Sequence, residues 1–282
     1  MSLNVWICGV IQNKFYYFCV LTIPMTGQMI EIFAFPLNLV LFIIWAGVVT
    51  ASWRNARKSA FVRFMLNPAA TLSAISLTLL ASLVIGLTGF RSLVSSWAFI
   101  ILVLYFQTVL AYVILRGWRR TCADGSRKIR WRFIFLHAGL LTVVASSFWA
   151  APDNFTLRTR AMADIPVSEA YNADGRTYWL RYEVELKGFE IQYDDAGMPS
   201  DYSADVLLAG RPVTLKVNHP YRVTPAETVY LTGYDEKEGR YCILQIVHEP
   251  CRWVTLAGIV MMLAGALLLF INGPRRRKEV EP

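Results

Sequence analysis

Five long apolar runs divide this chain: Phe33–Thr50, Ala69–Leu87, Trp97–Leu115, Phe133–Trp149 and Val254–Ile271. Each approaches the roughly 20 apolar residues that carry an α-helix across a bilayer. A sixth, fainter run covers Val5–Met25, where Gln12, Asn13 and Lys14 interrupt the pattern and Pro24 ends it. No basic stretch precedes that run and no small-x-small cleavage site follows it, so it reads as a helix that stays. After Trp149 the period changes from helical to two. Tyr178–Leu186 alternates apolar and charged residues, and Phe189–Tyr193, Val206–Leu208, Val213–Val217, Val229–Gly233 and Tyr241–Val247 follow as short strands. Turn signals separate them at Asp174-Gly175, Asp194 to Gly197, Ala209-Gly210, Asn218-His219-Pro220 and Glu238-Gly239. The segment Thr156–Ala173 is less patterned and is expected to lie along the membrane face.

These patterns predict an α-helical polytopic membrane protein with an inserted all-β domain, a small sandwich or open barrel. The expected organisation is a helical block over 1–150 with five spans, a β domain over 151–250, a final helix over 251–273 and a basic tail over 274–282. Composition agrees. The 282 residues are 55% hydrophobic and only 17% charged, against about a quarter charged in soluble domains.

The net charge of +8 is unevenly placed. Arg54, Arg57, Lys58 and Arg63 lie between the second and third spans. Arg116, Arg119, Arg120, Arg127, Lys128, Arg130 and Arg132 lie between the fourth and fifth, and Arg275, Arg276, Arg277 and Lys278 follow the last. Basic short loops stay in the cytoplasm, so both termini are expected inside and the β domain outside. From Asp153 to Glu249 sixteen acidic residues face ten basic ones, as suits a translocated domain. The basic clusters serve topology and anionic-lipid contact rather than nucleic acid.

Few residues offer chemistry. The five cysteines (Cys8, Cys19, Cys122, Cys242 and Cys251) form no C-x-x-C pair and no C-x-x-C-H haem-attachment motif. Cys242 and Cys251 share the outer side and either pair or remain free thiols. Of three histidines only His137 lies within an apolar span, where an ionisable group costs a few kcal/mol and usually has a task or a partner. It is either a haem-iron ligand, since neutral imidazole binds haem iron, or a structural histidine bonded to a neighbouring helix. His248, just before the last helix, either meets haem at the outer surface or is interfacial. His219 reads as a turn residue. Arg91 and Arg252 either pair with haem carboxylates or anchor the interface. Trp45, Trp53, Trp97, Trp118, Trp131, Trp149 and Trp253 read as an interfacial belt. No residue is marked as catalytic.

Five stretches resemble the ResB/CcsB family of cytochrome c biogenesis proteins: Phe35-Pro-Leu-Asn38-Leu-Val-Leu, Ser95-Ser-Trp97-Ala-Phe-Ile-Ile-Leu, Phe135-Leu-His137-Ala-Gly139-Leu-Leu, Val184 to Tyr193 with Tyr202–Leu208, and Glu249-Pro250 followed by Ala257 to Gly265. Glu249-Pro250-Cys251 stands where Asp-Pro-Gly is common in that family, and the tryptophan-rich haem-handling motif of the partner family, CcsA/ResC, is absent. The resemblance implies a multi-pass protein of the bacterial inner membrane. It implies one part of a cytochrome c synthetase (haem lyase) complex rather than an autonomous enzyme. Such a part acts with a CcsA/ResC-like partner to deliver haem b and attach it to apocytochrome c. It also implies His137 as the haem ligand, which the orientation rule sets on the cytoplasmic half of its span. The rival readings are a membrane-anchored scaffold or sensor displaying the β domain without haem, and a b-type electron carrier. A single intramembrane histidine weighs against the carrier.

Overall fold

The computed structural model describes residues 32–55, 59–89, 91–121, 127–193, 199–235 and 240–272. The faint first run and the basic tail lie outside them, as do Cys8, Cys19 and Cys122. The chain divides into two units, the helices up to Trp149 with those from Trp253, and the sheet from Ala150 to Arg252.

In the helical unit, α1 (Leu37–Arg54), α3 (Pro68–Thr88), α4 (Trp97–Gly117), α5 (Trp131–Trp149) and α6 (Arg252–Asn272) are long and apolar enough to cross a membrane. They correspond to the five strong apolar runs. Local chemistry sets several ends. Pro36 stands at the N-cap of α1, so the helix starts later than the apolar run, which begins at Phe33. Asn67 caps α3 by accepting the Ala69 amide at 3.1 Å, with Pro68 in the first turn. Gly89 closes the same helix in the left-handed region at φ +64°. Ser96 caps α4. The basic segments hold two elements that hydropathy does not signal: the short helix α2 (Ala60–Met65), which buries Val62 and Met65, and a hairpin of β1 (Arg119–Thr121) with β2 (Arg127–Ile129).

Helices α5 and α6 meet along glycines. A methyl group on Gly139 would lie 2.8 Å from the Gly258 carbonyl oxygen, and one on Gly258 would lie 3.0 Å from the Gly139 carbonyl oxygen. Gly265 accommodates Leu136 and Phe135 in the same way. One turn toward the sheet-bearing ends, the Ser146 and Thr255 hydroxyls bond at 2.8 Å. Backbones this close gain dispersion contact that larger residues would block.

The second unit is one antiparallel sheet of eight strands: β3 (Phe155–Met162), β4 (Val167–Tyr171), β5 (Thr177–Tyr193), β6 (Pro199–Leu208), β7 (Arg211–Lys216), β8 (Tyr221–Thr224), β9 (Glu227–Tyr234) and β10 (Tyr241–His248). Their spatial order is β7-β6-β5-β4-β3-β10-β9-β8. Four residues, 217–220, connect the two outermost strands and span at most roughly 18 Å, so the sheet must curl. Its inward residues accordingly form one cluster, with Leu157, Val184, Leu186, Val206, Leu208, Leu215, Val229, Leu244 and Ile246 buried.

Two expectations change here. The segment 156–173, less patterned in sequence, forms β3 and β4 in the middle of the sheet. Its inward residues include Thr159 and Ala161, too small and polar to register as a strand pattern, and the Thr159 hydroxyl stitches β3 to the Glu169 carbonyl at 2.7 Å. The two strands expected at 178–186 and 189–193 are one, β5, whose pairing with β6 shifts register between Leu186 and Gly188. Three of the expected turns are seen, with Gly175 at φ +77°, Ala209-Gly210 at +53° and +74°, and Asn218 at +61° ahead of His219; those at 194–197 and 238–239 lie outside the described residues. Cys242 and Cys251 are not joined in a disulfide.

Two outcomes follow. Gly139→Ala or Gly258→Ala places a methyl group against a helix backbone that cannot retreat locally, and should cost about 1–3 kcal/mol, read as a lowered denaturation midpoint in detergent. Burial pushes the Cys242 thiol up to about 12, so thiolate is scarce at neutral pH. Maleimide should leave Cys242 unmodified in the folded protein and modify it only on unfolding, whereas half-buried Cys251 should react measurably faster.

Candidate functional site

His137 is the seventh residue of α5, and its surroundings are built by helix spacing. Phe133 lies one turn earlier, and its ring stacks on the imidazole with centroids 4.0 Å apart and 26° between planes. The same residue's carbonyl oxygen lies 2.9 Å from His137 Nδ1. A carbonyl only accepts, so Nδ1 carries the hydrogen. In the neutral ring this leaves the lone pair on Nε2, which has no partner among the described residues.

Phe133 is itself held. The Arg130 guanidinium lies over its ring at 4.7 Å and donates to the Gly117 carbonyl at 3.2 Å. A methyl group on Gly117 would lie 2.4 Å from the ring's Cζ, so only glycine at the end of α4 lets the ring sit there. Gly117 and Phe133 thus set the imidazole's orientation. Helix spacing places Phe133 one turn from His137 in the sequence itself, whereas Gly117 gives no signal beyond a glycine between an apolar span and Trp118. The Gly139 seam lies two residues on, about 200° around the helix, so His137 faces away from the α5–α6 contact.

A second polar centre joins α1, α4 and α5. Trp149 donates its indole N–H to the buried Gln107 amide oxygen at 3.1 Å, and Asn38 donates to the Trp149 carbonyl at 2.9 Å. Trp45 donates to Thr108 at 3.1 Å, and Phe42, Trp45 and Trp149 pack together with centroids 5.8–6.3 Å apart. This corrects the belt reading for two tryptophans. Trp45 lies mid-helix in α1 and Trp149 turns inward, because their N–H groups find acceptors inside the bundle. Trp53 likewise stacks on Tyr112.

In the sheet, register aligns Phe155, His248 and Glu227 across neighbouring strand ends. The Phe155 and His248 rings stack at 4.7 Å, 5° from parallel. Glu227 Oε2 lies 3.7 Å from His248 Nδ1, and Glu227 Oε1 accepts a short hydrogen bond from the Tyr182 hydroxyl. Burial and then this carboxylate hold the Tyr182 phenol well above its ordinary range, so it stays a donor. Glu227 and Tyr182 were not legible beforehand, since both sit far from residue 248 in sequence; strand register brings Glu227 beside it, and Tyr182 reaches that carboxylate from β5.

Arg252 donates to the Thr228 hydroxyl at 3.1 Å, a contact that ties α6's first residue to β9. Arg91 opens a single 3-10 turn, Arg91–Ser95, and its side chain lies outside the described residues. His219 donates its backbone N–H to the Lys216 carbonyl at 3.1 Å within its turn. Among the described residues no three His, Cys, Asp or Glu side chains gather as a metal cage. An open groove of about 820 Å³ on the outer face of β3, β4 and β5, lined by Arg158, Arg160, Tyr171 and Trp179, contains neither His137 nor His248.

No curated protein matches this chain. Among solved structures it is similar to the cytochrome c haem lyase CcmF, at 14% identity and a TM-score of 0.36, over 82% of this chain and 44% of that one. The chain therefore spans less than half the length of that structure. Residues 127–243 match the model of the ResB-like family. The matched segment includes His137, Phe133, Tyr182 and Glu227, and ends before His248 and Arg252. The resemblance read from the sequence is thus met over that segment, which runs from β2 into β10 and takes in the histidine-bearing helix and nearly all of the sheet.

Proposed function

We propose that this chain is a cytochrome c maturation factor of the ResB/CcsB type. It acts with a CcsA/ResC-like membrane partner to bring haem across the membrane and attach it to apocytochrome c. The observation that carries the reading is His137 within the ResB-like segment, its Nδ1 committed to the Phe133 carbonyl and its Nε2 lone pair uncommitted. That is the state in which imidazole ligates haem iron: the hydrogen bond on one nitrogen fixes the tautomer and orients the other.

The residues fit the group. A flat macrocycle needs an exposed ligand edge. His137 is half-buried on a face that α6 does not cover, and Phe133 keeps its ring from rotating. Bound haem would supply the vinyl groups to which a client's cysteine thiols add. His137 would hold the iron, with any further protein ligand supplied by the partner chain. The β unit, on the outer side of the bacterial inner membrane, holds partner or client near the ligation site as a curled sheet of open-barrel type. Both termini and the basic segments are cytoplasmic. Catalysis belongs to the complex, not to an isolated site here.

The test is optical. The protein is purified with and without a CcsA-like partner, and the haem spectrum is compared with that of His137→Ala. Loss of an outer-shell partner alone costs metal sites about 10–100-fold in affinity, so loss of the ligand itself should lower haem occupancy at least that much and abolish cytochrome c maturation. An unchanged spectrum with undiminished maturation would overturn the assignment.

A further inference from the structure

The geometry points to a second haem-iron ligand in this chain, His248, pre-oriented by Glu227 at the end of the sheet. The inference rests on the haem-handling reading above but on different residues. Three observations converge. First, the His248 side chain is 28% exposed while its Nδ1 is buried and makes no hydrogen bond. The exposed edge is therefore the one that carries Nε2. Second, Nδ1 faces the Glu227 carboxylate at 3.7 Å. At that distance the negative charge, rather than a hydrogen bond, favours the neutral tautomer with its hydrogen on Nδ1, which presents the Nε2 lone pair outward. An imidazole backed by a carboxylate is the recurring arrangement of metal-ligating histidines. Third, the ring is clamped. Phe155 stacks on it almost in parallel, and Tyr182 fixes the carboxylate by donating to its other oxygen.

The single imidazole also selects its occupant. Among the described residues no three His, Cys, Asp or Glu side chains gather there, and Glu227 faces the buried Nδ1 rather than the exposed edge. A bare divalent ion needs several protein ligands, whereas haem iron arrives with four equatorial nitrogens and needs only an axial one. His248 sits on the last residue of β10, in the acidic unit that the charge pattern places outside. It would therefore receive haem on the side where attachment occurs, while His137 serves the membrane interior. Glu227 and Tyr182 act as positioning residues.

The full chain in detergent is titrated with haem, using His137→Ala to silence the membrane site. That variant should retain about one haem equivalent. The remainder should be lost on adding His248→Gly or His248→Gln, and free imidazole should restore it to the glycine variant, an outcome that no merely structural role predicts. Glu227→Gln should retain haem but raise its reduction potential, because the ligand loses basicity. Zinc ion alone should not bind at this site. If His137→Ala removes all haem from a chain that otherwise binds one equivalent, the inference falls and the proposed function stands. If imidazole fails to rescue, or if zinc alone binds with dependence on His248, the inference also falls. If the unaltered chain binds no haem, both fall.

Discussion

Inserting a β unit between two helices requires that the chain leave and return at neighbouring points, and this requirement organises both units. In the helical unit, Gly139 and Gly258 let the α5 and α6 backbones touch, and the Ser146–Thr255 hydrogen bond secures the ends from which the insertion departs. In the sheet, the first and last strands are direct neighbours. β3 pairs with β10 from Phe155–His248 to Met162–Tyr241 without a break in register. Each unit closes its own side of the insertion. The contacts that do so are among the tightest in each unit: backbone against backbone in one, an eight-residue ladder in the other.

The histidines inherit their places from this closure. His248 ends the strand that must lie beside β3, so it stands opposite Phe155 by register rather than by chance. Its other neighbour, Glu227, begins β9 on the far side of the same strand. His137 occupies the face of α5 turned away from the glycine seam. A helix that gives one face to α6 has the opposite face left to present a side chain. The seam and the candidate ligand are thus two consequences of one helix, and the two-residue offset between His137 and Gly139 encodes both.

Much of this was legible in the chain, for physical reasons that also explain what was not. Apolar runs report helices that lipid surrounds, and the five strong runs lie within a few residues of α1, α3, α4, α5 and α6. The period-two alternation reported β5, β9 and β10, whose inward residues are large. It failed at β3, where Thr159 and Ala161 face inward, because small residues bury well in a crowded sheet but carry little hydropathy. The belt reading failed at Trp45 and Trp149 because hydropathy places a tryptophan along the span and says nothing of where its N–H points. His137 and His248 were visible as rare residue types. Phe133, Gly117, Glu227 and Tyr182, which aim them, are common types made significant only by helix spacing and by strand register.

Polar side chains in the spans follow a rule that gives His137 its meaning. In an apolar bundle an unpaired polar group is costly, and the described residues pair them off: Asn38 with Trp149, Trp45 with Thr108, Ser52 with Tyr112, Ser73 with Tyr105, Ser146 with Thr255. The Gln107 amide nitrogen is enclosed without a partner, and His137 Nε2 has none among the described residues. They differ in kind. The Trp149 indole can only donate, which forces the Gln107 oxygen toward it and leaves an N–H group fully enclosed. An N–H has no lone pair to give a metal. On His137 the hydrogen sits on the satisfied nitrogen, and what remains is a lone pair on a half-buried ring. Of the two departures, only His137 leaves a donor of electrons at membrane depth, with a ring already held in orientation. Packing alone gives no reason to keep such a group there; under the proposed function, ligation of iron would supply one.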